Sequence, residues 1–232
     1  MNTPSQKAAV IRTAARLSFA ILLICARSSG FAQRRDDPRR DTQFWPDTTI
    51  TIKLDKNFSL VLFGTLRLGR DDSALVSRQA GISISRSFGK HFGSTLSYRY
   101  IENEPTPDRQ STEHRVFADF TPRTLLKYGF TVSDRNRIEW RDINQKTSWR
   151  YRNRLQFERP FTIRERKITP YVAGEPMYDT RFHAWNRTQI YIGARVPLAR
   201  HITFDGFYLK QLDARVQPGF LNVVGAFWRL DF

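Results

Sequence analysis

The chain has 232 residues, 38 of them lysine or arginine and 22 aspartate or glutamate, giving a formal charge of +16. Its single cysteine, Cys25, excludes a disulfide framework and a thiolate metal centre. Its one long apolar run, residues 17–26, is half of the ~20 residues that a membrane-crossing helix needs, which reads against a helical span.

Residues 1–16 carry Lys7, Arg12 and Arg16 and no acid, LSFAILLICA follows, and Gly30 and Ala32 set small residues at the two cleavage-specifying positions. That is the three-part pattern of a secretory signal peptide over 1–32, cut between Ala32 and Gln33. A lipoprotein signal would need a small residue before its cysteine, and Cys25 follows Ile24. Removing 1–32 takes away Lys7, Arg12, Arg16, Arg27 and Cys25, leaving +12 on a cysteine-free chain. An exported protein rarely meets nucleic acid. The basic balance therefore points to anionic partners in a cell envelope, namely lipid headgroups and lipopolysaccharide phosphates.

Residues 33–43 (QRRDDPRRDTQ) read as a charged flexible leader. Beyond it the side chains alternate in character. Ile50, Ile52 and Leu54 alternate with Thr49, Thr51 and Lys53; Leu60, Leu62, Leu66 and Leu68 alternate with Ser59, Thr65 and Arg67. Ile82 and Ile84 stand between Gly81, Ser83 and Ser85, and Leu96, Tyr98 and Tyr100 between Thr95, Ser97 and Arg99. Val116, Ala118 and Phe120 alternate with Arg115 and Asp119, and Ile138 and Trp140 with Arg137, Glu139 and Arg141.

In RYRNRLQFERPF (150–161), Arg150, Arg152, Arg154, Gln156 and Glu158 share one face and Tyr151, Asn153, Leu155 and Phe157 the other. KITPYVAGEPMY (167–178) follows, then Ile190, Ile192, Ala194 and Val196 alternating with Gln189, Tyr191, Gly193 and Arg195. Ile202, Phe204 and Tyr208 oppose Thr203 and Asp205. Last, Val224, Ala226, Trp228, Leu230 and Phe232 oppose Gly225, Arg229 and Asp231. Period two over eleven segments, with helical periodicity nearly absent, predicts strands throughout.

DKN (55–57), GKH (89–91), TPR (121–123) and PLAR (197–200) read as tight turns, and RDDSAL, IENEPTPDRQST, DINQKT, DTRFHA and LDARVQPG as longer loops between them. Short turns on one rim and long loops on the other is the outer-membrane barrel pattern. A soluble, secreted, ligand-binding barrel would show the same period with its apolar face inward. Rows of arginine on the polar faces favour the membrane form, as do aromatics near segment ends (Trp45, Tyr98, Tyr100, Trp140, Trp149, Trp185, Trp228) and the terminal Phe232. Trp228, Leu230 and Phe232 are similar to the C-terminal signal that barrel-assembly machinery recognises in its clients. The expectation is an all-β, antiparallel up-and-down transmembrane barrel over 44–232, of about 12 strands (10 to 12).

RNRIEWR (135–141) echoes RNRLQFER (152–159). If DINQKT closes a hairpin, Glu139 lies opposite Arg150 and Arg137 opposite Arg152. Like charges then face each other, and Glu113, Asp119 and Glu158 share the parity from which counter-charges could come. The candidate site is accordingly a lumen charge lattice of Arg135, Arg137, Glu139, Arg141, Arg150, Arg152, Arg154 and Glu158, bracing a watered interior. The alternative is a solvated face with no special role. Asp134, Asn136 and Asn153 fall on the lipid face, where a carboxylate is costly; a bulge near 134 or a strand projecting past the bilayer would relieve this. Eleven is odd where bacterial barrels are usually even, so either a twelfth strand lies near 33–47 or the leader re-enters the lumen.

In order along the chain, Trp45, EHR (113–115), RNRIEWR, RNRLQFERPF, PYVAGEPMY (170–178) and NRTQIYIGARVPL (186–198) resemble a bacterial outer-membrane family known as domain of unknown function 2490. The resemblance covers nearly all of the chain after residue 43. It implies a membrane barrel in the cell outer membrane and supplies no activity. Pro176 inside PYVAGEPMY weakens that strand.

Some outer-membrane barrels modify lipids with a His and Ser pair at the outer rim. Here His91 and His201 follow tight turns, His114 opens a strand and His183 lies in a loop, with Ser111 and Ser148 as conceivable nucleophiles. No spacing joins them into a triad. Metal-ligand spacing and a glycine-rich phosphate loop are absent too, so neither a metal nor any other cofactor is expected. The leading expectation is a non-catalytic barrel, either a narrow pore for small anions or a structural or binding protein of the envelope.

Overall fold

The computed structural model describes residues 40–106 and 108–232; the expected signal peptide and residues 33–39 of the leader lie outside the described residues. Alternating side chains favour extended backbone because successive Cβ atoms point to opposite faces of a strand. The chain forms β1 (Arg40–Lys53), β2 (Phe58–Gly69), β3 (Ala74–Phe88), β4 (Phe92–Thr106), β5 (Arg109–Leu125) and β6 (Thr131–Ile143). Then come β7 (Lys146–Glu158), β8 (Phe161–Ile163), β9 (Arg166–Asp179), β10 (Ala184–Ala199), β11 (Ile202–Asp213) and β12 (Phe220–Asp231). The only other regular element among the described residues is a 3-10 turn over Lys127–Gly129.

Strand order follows the chain, and the sheet closes. β9 pairs with both β7 and β10, leaving three-residue β8 as a flap on the start of β9, and β12 returns to β1. Eleven strands therefore form the barrel wall. Every pairing is antiparallel except the seam, where β1 and β12 run parallel from Arg40 opposite Phe220 to Thr51 opposite Asp231. This resolves the odd count. With an odd number of strands the first and last point the same way, so Arg40 begins at one rim and Phe232 ends at the other. The seam is locked at its end by Lys53 N donating to Phe232 O (2.9 Å) and Phe232 N to Thr51 O (2.8 Å). No strand precedes β1 among the described residues. Instead β1 begins inside the expected leader, so residues 40–43 are strand.

The expected contrast between short turns and long loops is not found. At the C-terminal rim the connections are 54–57, 89–91, 126–130, 159–165 with β8, and 200–201; at the opposite rim they are 70–73, the short link between Thr106 and Arg109, 144–145, 180–183 and 214–219. TPR (121–123) is strand, as is most of IENEPTPDRQST, because β4 and β5 carry their hydrogen-bond ladder on through polar residues. The 144–145 hairpin has positive φ at both Asn144 (49°) and Gln145 (66°), the two-residue geometry whose twist matches that of its flanking strands. In the 54–57 turn, Asp55 Oδ1 accepts from the N–H of Asn57 and of Phe58, both at 2.7 Å, and these donors hold its carboxyl below the usual carboxylate range.

Barrel strands of 12–17 residues exceed the ~9–11 that a tilted strand needs to cross a bilayer. The outer face presents Leu62, Ile82, Ile84, Leu96, Val116, Ile138, Leu155, Phe157, Ile190, Ile192 and Val224, all exposed. Tyr98, Trp149 and Trp185 are exposed as well, but Trp45 is not part of an outer girdle. It points inward, buried, with Nε1 donating to Gln43 Oε1 at 2.8 Å.

Asp134, Asn136 and Asn153 keep their outward parity, since the β6–β7 register runs unbroken from Thr131 to Ile143. No bulge relieves the carboxylate. Its hydrogen bonds do so instead: Asn153 Nδ2 donates to Asp134 Oδ1 (2.6 Å), Asn136 Nδ2 to Asp134 Oδ2 (3.2 Å), and Tyr151 OH to Asn136 Oδ1 (2.5 Å). Beside this group, Pro176 faces outward in a continuous β9. The β7–β9 ladder pairs Arg152 with Met177 and resumes at Leu155 with Gly174, because proline has no N–H to give. Replacing Asn153 by leucine strips the shortest donor from Asp134 and is expected to cost about 1–3 kcal/mol. Urea titration of the protein folded into lipid vesicles measures this, and an unchanged midpoint would show that the ladder carries no stability.

Candidate functional site

The β6–β7 hairpin places Glu139 opposite Arg150, Arg137 opposite Arg152 and Arg135 opposite Arg154, all pointing inward. Three carboxylates without solvent exposure organise these rows. Glu139 on β6 lies within 4.0 Å of four guanidinium groups: Arg152 at 3.2 Å, Arg115 at 3.6 Å, Arg137 at 3.7 Å and Arg150 at 4.0 Å. Glu175 on β9 takes Arg135 Nη2 and Arg152 Nε, each at 2.7 Å. Asp179 takes Arg150 Nη2 (2.7 Å), Arg141 Nη1 (3.0 Å) and Arg181 Nη2 (2.8 Å). Two further acids on β5 complete the lattice. Glu113 is held in a fork by Arg141 (2.7 and 2.8 Å) and also accepts from Arg115 Nε (2.8 Å); Asp119 is held in a fork by Arg137 (2.6 and 2.7 Å).

Such two-point contacts fix both groups in direction and are stronger than single hydrogen bonds. The lattice ties β5, β6, β7 and β9 together through side chains as well as backbone. Within it Arg150, Arg141, Arg137 and Arg115 are buried.

The interior also holds an apolar cluster, which alternation alone did not reveal. Trp45, Tyr171, Ala173, Tyr191, Leu209, Leu221 and Val223, with Phe207 beside them, form a buried cluster on β9–β12 and β1. Tyr171 OH donates to Asp205 Oδ1 (2.8 Å), and Arg229 Nη2 donates to Asp205 Oδ2 (2.9 Å). Along the border between the two halves stand three arginines that share no ion pair with a described residue. Arg67 lies over the Trp45 ring (4.1 Å), Arg154 over Tyr191 (4.1 Å) and Arg99 over Phe63 (4.6 Å).

Of the residues singled out in the sequence, Arg135, Arg137, Glu139, Arg141, Arg150 and Arg152 meet in one network. Arg154 stacks instead of pairing, and Glu158 stands apart with Arg195 and Gln156. Glu175 and Asp179, two of the three organising acids, were missed; counting parity along β9 from Tyr171 would have found both. Trp228 and Leu230 face outward on β12, Trp228 against Phe204 (4.9 Å), and Phe232 just beyond its end is stacked on His201 (5.4 Å). The histidines do not converge with the serines. His114 points outward with Nδ1 2.7 Å from Tyr98 OH, beside a recess of about 380 Å³, whereas Ser148 is buried inside the wall. His183 lies in the 180–183 connection at one rim, and His91 and His201 sit at the other. No cluster of three potential metal ligands occurs among the described residues.

The chain resembles several solved structures, LpxR and an autotransporter domain among them. LpxR from Salmonella typhimurium matches with a TM-score of 0.52 at 9% identity, covering 79% of this chain and 87% of that one. The beta domain of the Bordetella autotransporter BrkA matches with a TM-score of 0.51 at 10% identity, covering 78% and 86%. At such identities the likeness is one of fold, an outer-membrane-type β-barrel. No curated protein sequence matches the chain. The family described as protein of unknown function DUF2490 matches residues 42–219, and the chain belongs to it.

Proposed function

We propose that this chain is a non-catalytic integral barrel of a Gram-negative outer membrane, serving a structural or binding role in the envelope with its interior braced rather than open. One observation carries the reading: Glu139, Glu175 and Asp179, all without solvent exposure, each bind two or more arginines and join the inner faces of β6, β7 and β9. A porin keeps its charged lumen wet; here buried forks and the Leu209–Val223 cluster take up the interior instead. The exposed apolar outer face and the closed sheet support the membrane location, and outer-membrane lipids, lipopolysaccharide and the barrel-assembly machinery are the partners this implies.

The refolded protein in planar bilayers is expected to give no channel events under a salt gradient of either direction. A second reading, a narrow path for small anions, is favoured by Arg67, Arg99 and Arg154, which no described carboxylate neutralises by an ion pair. It predicts small anion-selective steps in the same recording. Recovery in the outer-membrane fraction, with faster gel migration of the unheated protein, tests the location.

A further inference from the structure

Arg67 on β2 and Arg99 on β4 point inward, and among the described residues neither has a carboxylate within ion-pairing distance. Arg67 donates no hydrogen bond to any described residue. Arg99 donates one, from Nη1 to Gln79 Oε1 at 2.9 Å. The Nε atoms of both are enclosed without a partner. Each guanidinium has one face covered by an aromatic ring, Arg67 by Trp45 and Arg99 by Phe63, with the Phe117 ring 5.6 Å from Arg99. Stacking satisfies the face of the group and leaves its in-plane N–H donors free, and those are the donors that grip carboxylate or phosphate oxygens.

Both side chains are only partly buried although they face the interior, so space remains beside them. Asp47 supplies negative charge that both feel, yet its Oδ1 is itself enclosed without a hydrogen-bond partner. Two cations against one carboxylate leave a positive excess where charges are ordinarily paired. Elsewhere in this interior pairing prevails: Arg135, Arg137, Arg141, Arg150 and Arg152 all have acids within 3.2 Å, whereas these two, like Arg154, stack on aromatic rings without an ion pair to a described residue.

We propose that Arg67 and Arg99, with Gln79 between them and Trp45, Phe63 and Phe117 as walls, form a binding site for a small oxyanion inside the barrel. The anion takes the in-plane donors of both guanidinium groups and supplies the missing counter-charge. This deepens the reading of a braced, binding barrel and rests on it for the statement that the ligand docks rather than passes.

The test is thermal unfolding of the detergent-refolded full chain, followed by loss of the fast-migrating form, across a series of inorganic phosphate concentrations at constant ionic strength set with chloride. Phosphate is expected to raise the midpoint in a saturable manner, and Arg67→Gln/Arg99→Gln to abolish the rise while still giving a heat-modifiable barrel. Should the double variant not refold, Arg67→Lys keeps the charge and loses the fork, and is expected to weaken the phosphate response at least fivefold. Arg86→Gln, on a guanidinium that stacks on Phe58 and Phe88 at the C-terminal rim, serves as the control and is expected to respond as the parent does. A parent midpoint that chloride raises as well as phosphate does overturns the site, and so does an undiminished response in the Arg67 variants. Open-channel currents would overturn the braced reading instead, and they come from a separate measurement.

Discussion

Glu139→Gln is expected to be among the most damaging single substitutions in this barrel, lowering stability by about 3–5 kcal/mol. The change keeps the shape of the side chain and removes one charge. What remains is four guanidinium groups, Arg115, Arg137, Arg150 and Arg152, drawn within 4.0 Å of a neutral amide that can also turn an N–H toward them. The four side chains have little access to water, and the carboxylate they surround is fully enclosed. Equilibrium urea titration in lipid vesicles gives the magnitude. Glu165→Gln, in the exposed two-residue turn between β8 and β9, removes the same charge at the surface and is expected to stay within about 0.5 kcal/mol of the parent. The lattice also predicts coupling: adding Arg115→Gln to Glu139→Gln removes one of the cations crowded around the neutral amide, so the double variant should lose less than the sum of the singles. Strict additivity would show that Glu139 and Arg115 act independently, and a loss below about 1 kcal/mol for Glu139→Gln would mean that water already screens the cluster.

The parts of this arrangement that could be read from the chain are those in which one face differs chemically from the other. In RYRNRLQFERPF the two faces are arginine and mostly apolar, so parity, hairpin partner and even the Glu139–Arg150 opposition follow from spacing. β1 hid its first half because both of its faces are mixed there. Asp41, Gln43 and Trp45 point inward while Thr42, Phe44 and Pro46 point outward, and no alternation of polarity survives. Polar extension likewise disguised β4 and β5 as a long loop, since Glu102, Asn103, Ser111 and Thr112 pair in register beyond the apolar band.

The interior was legible in its charges and not in its grease. Leu209, Leu221 and Val223 face inward on strands where outward residues such as Tyr208 and Val224 are apolar or aromatic too, so sequence offers little contrast from which to read a direction. The carboxylates of β9 were obscured for a related reason: Glu175 and Asp179 stand in a row whose other members are Tyr171, Ala173 and Met177. Which acid meets which arginine depends on long side chains reaching across strands, as when Arg135 on β6 pairs with Glu175 on β9, the second strand over. Strand-neighbour rules do not contain that information.

Gly225→Val is expected to prevent the barrel from closing. Gly225 points inward on β12, opposite Phe207 on β11 and Trp45 on the parallel β1. A Cβ there would sit 2.0 Å from Cζ of the Phe207 ring, with two more ring carbons at 2.3 and 2.4 Å. That ring packs beside Tyr191 (6.0 Å) against the buried cluster, and it cannot swing outward because the wall is one strand thick and its parity is fixed. Overpacking ordinarily costs about 1–3 kcal/mol where neighbours can shift. Here the shift must open either the β11–β12 pairing or the seam, and the seam is where the two chain ends of the sheet find each other. The folded, fast-migrating fraction after refolding should fall to background. Phe207→Ala vacates the position that the new side chain would claim, so Phe207→Ala/Gly225→Val should recover more folded protein than Gly225→Val alone, although Phe207→Ala by itself leaves a cavity beside Tyr191. If Gly225→Val refolds as the parent does, the ring does not occupy that position in the closed barrel. If the double variant recovers nothing, the glycine is required for a reason other than space for Phe207.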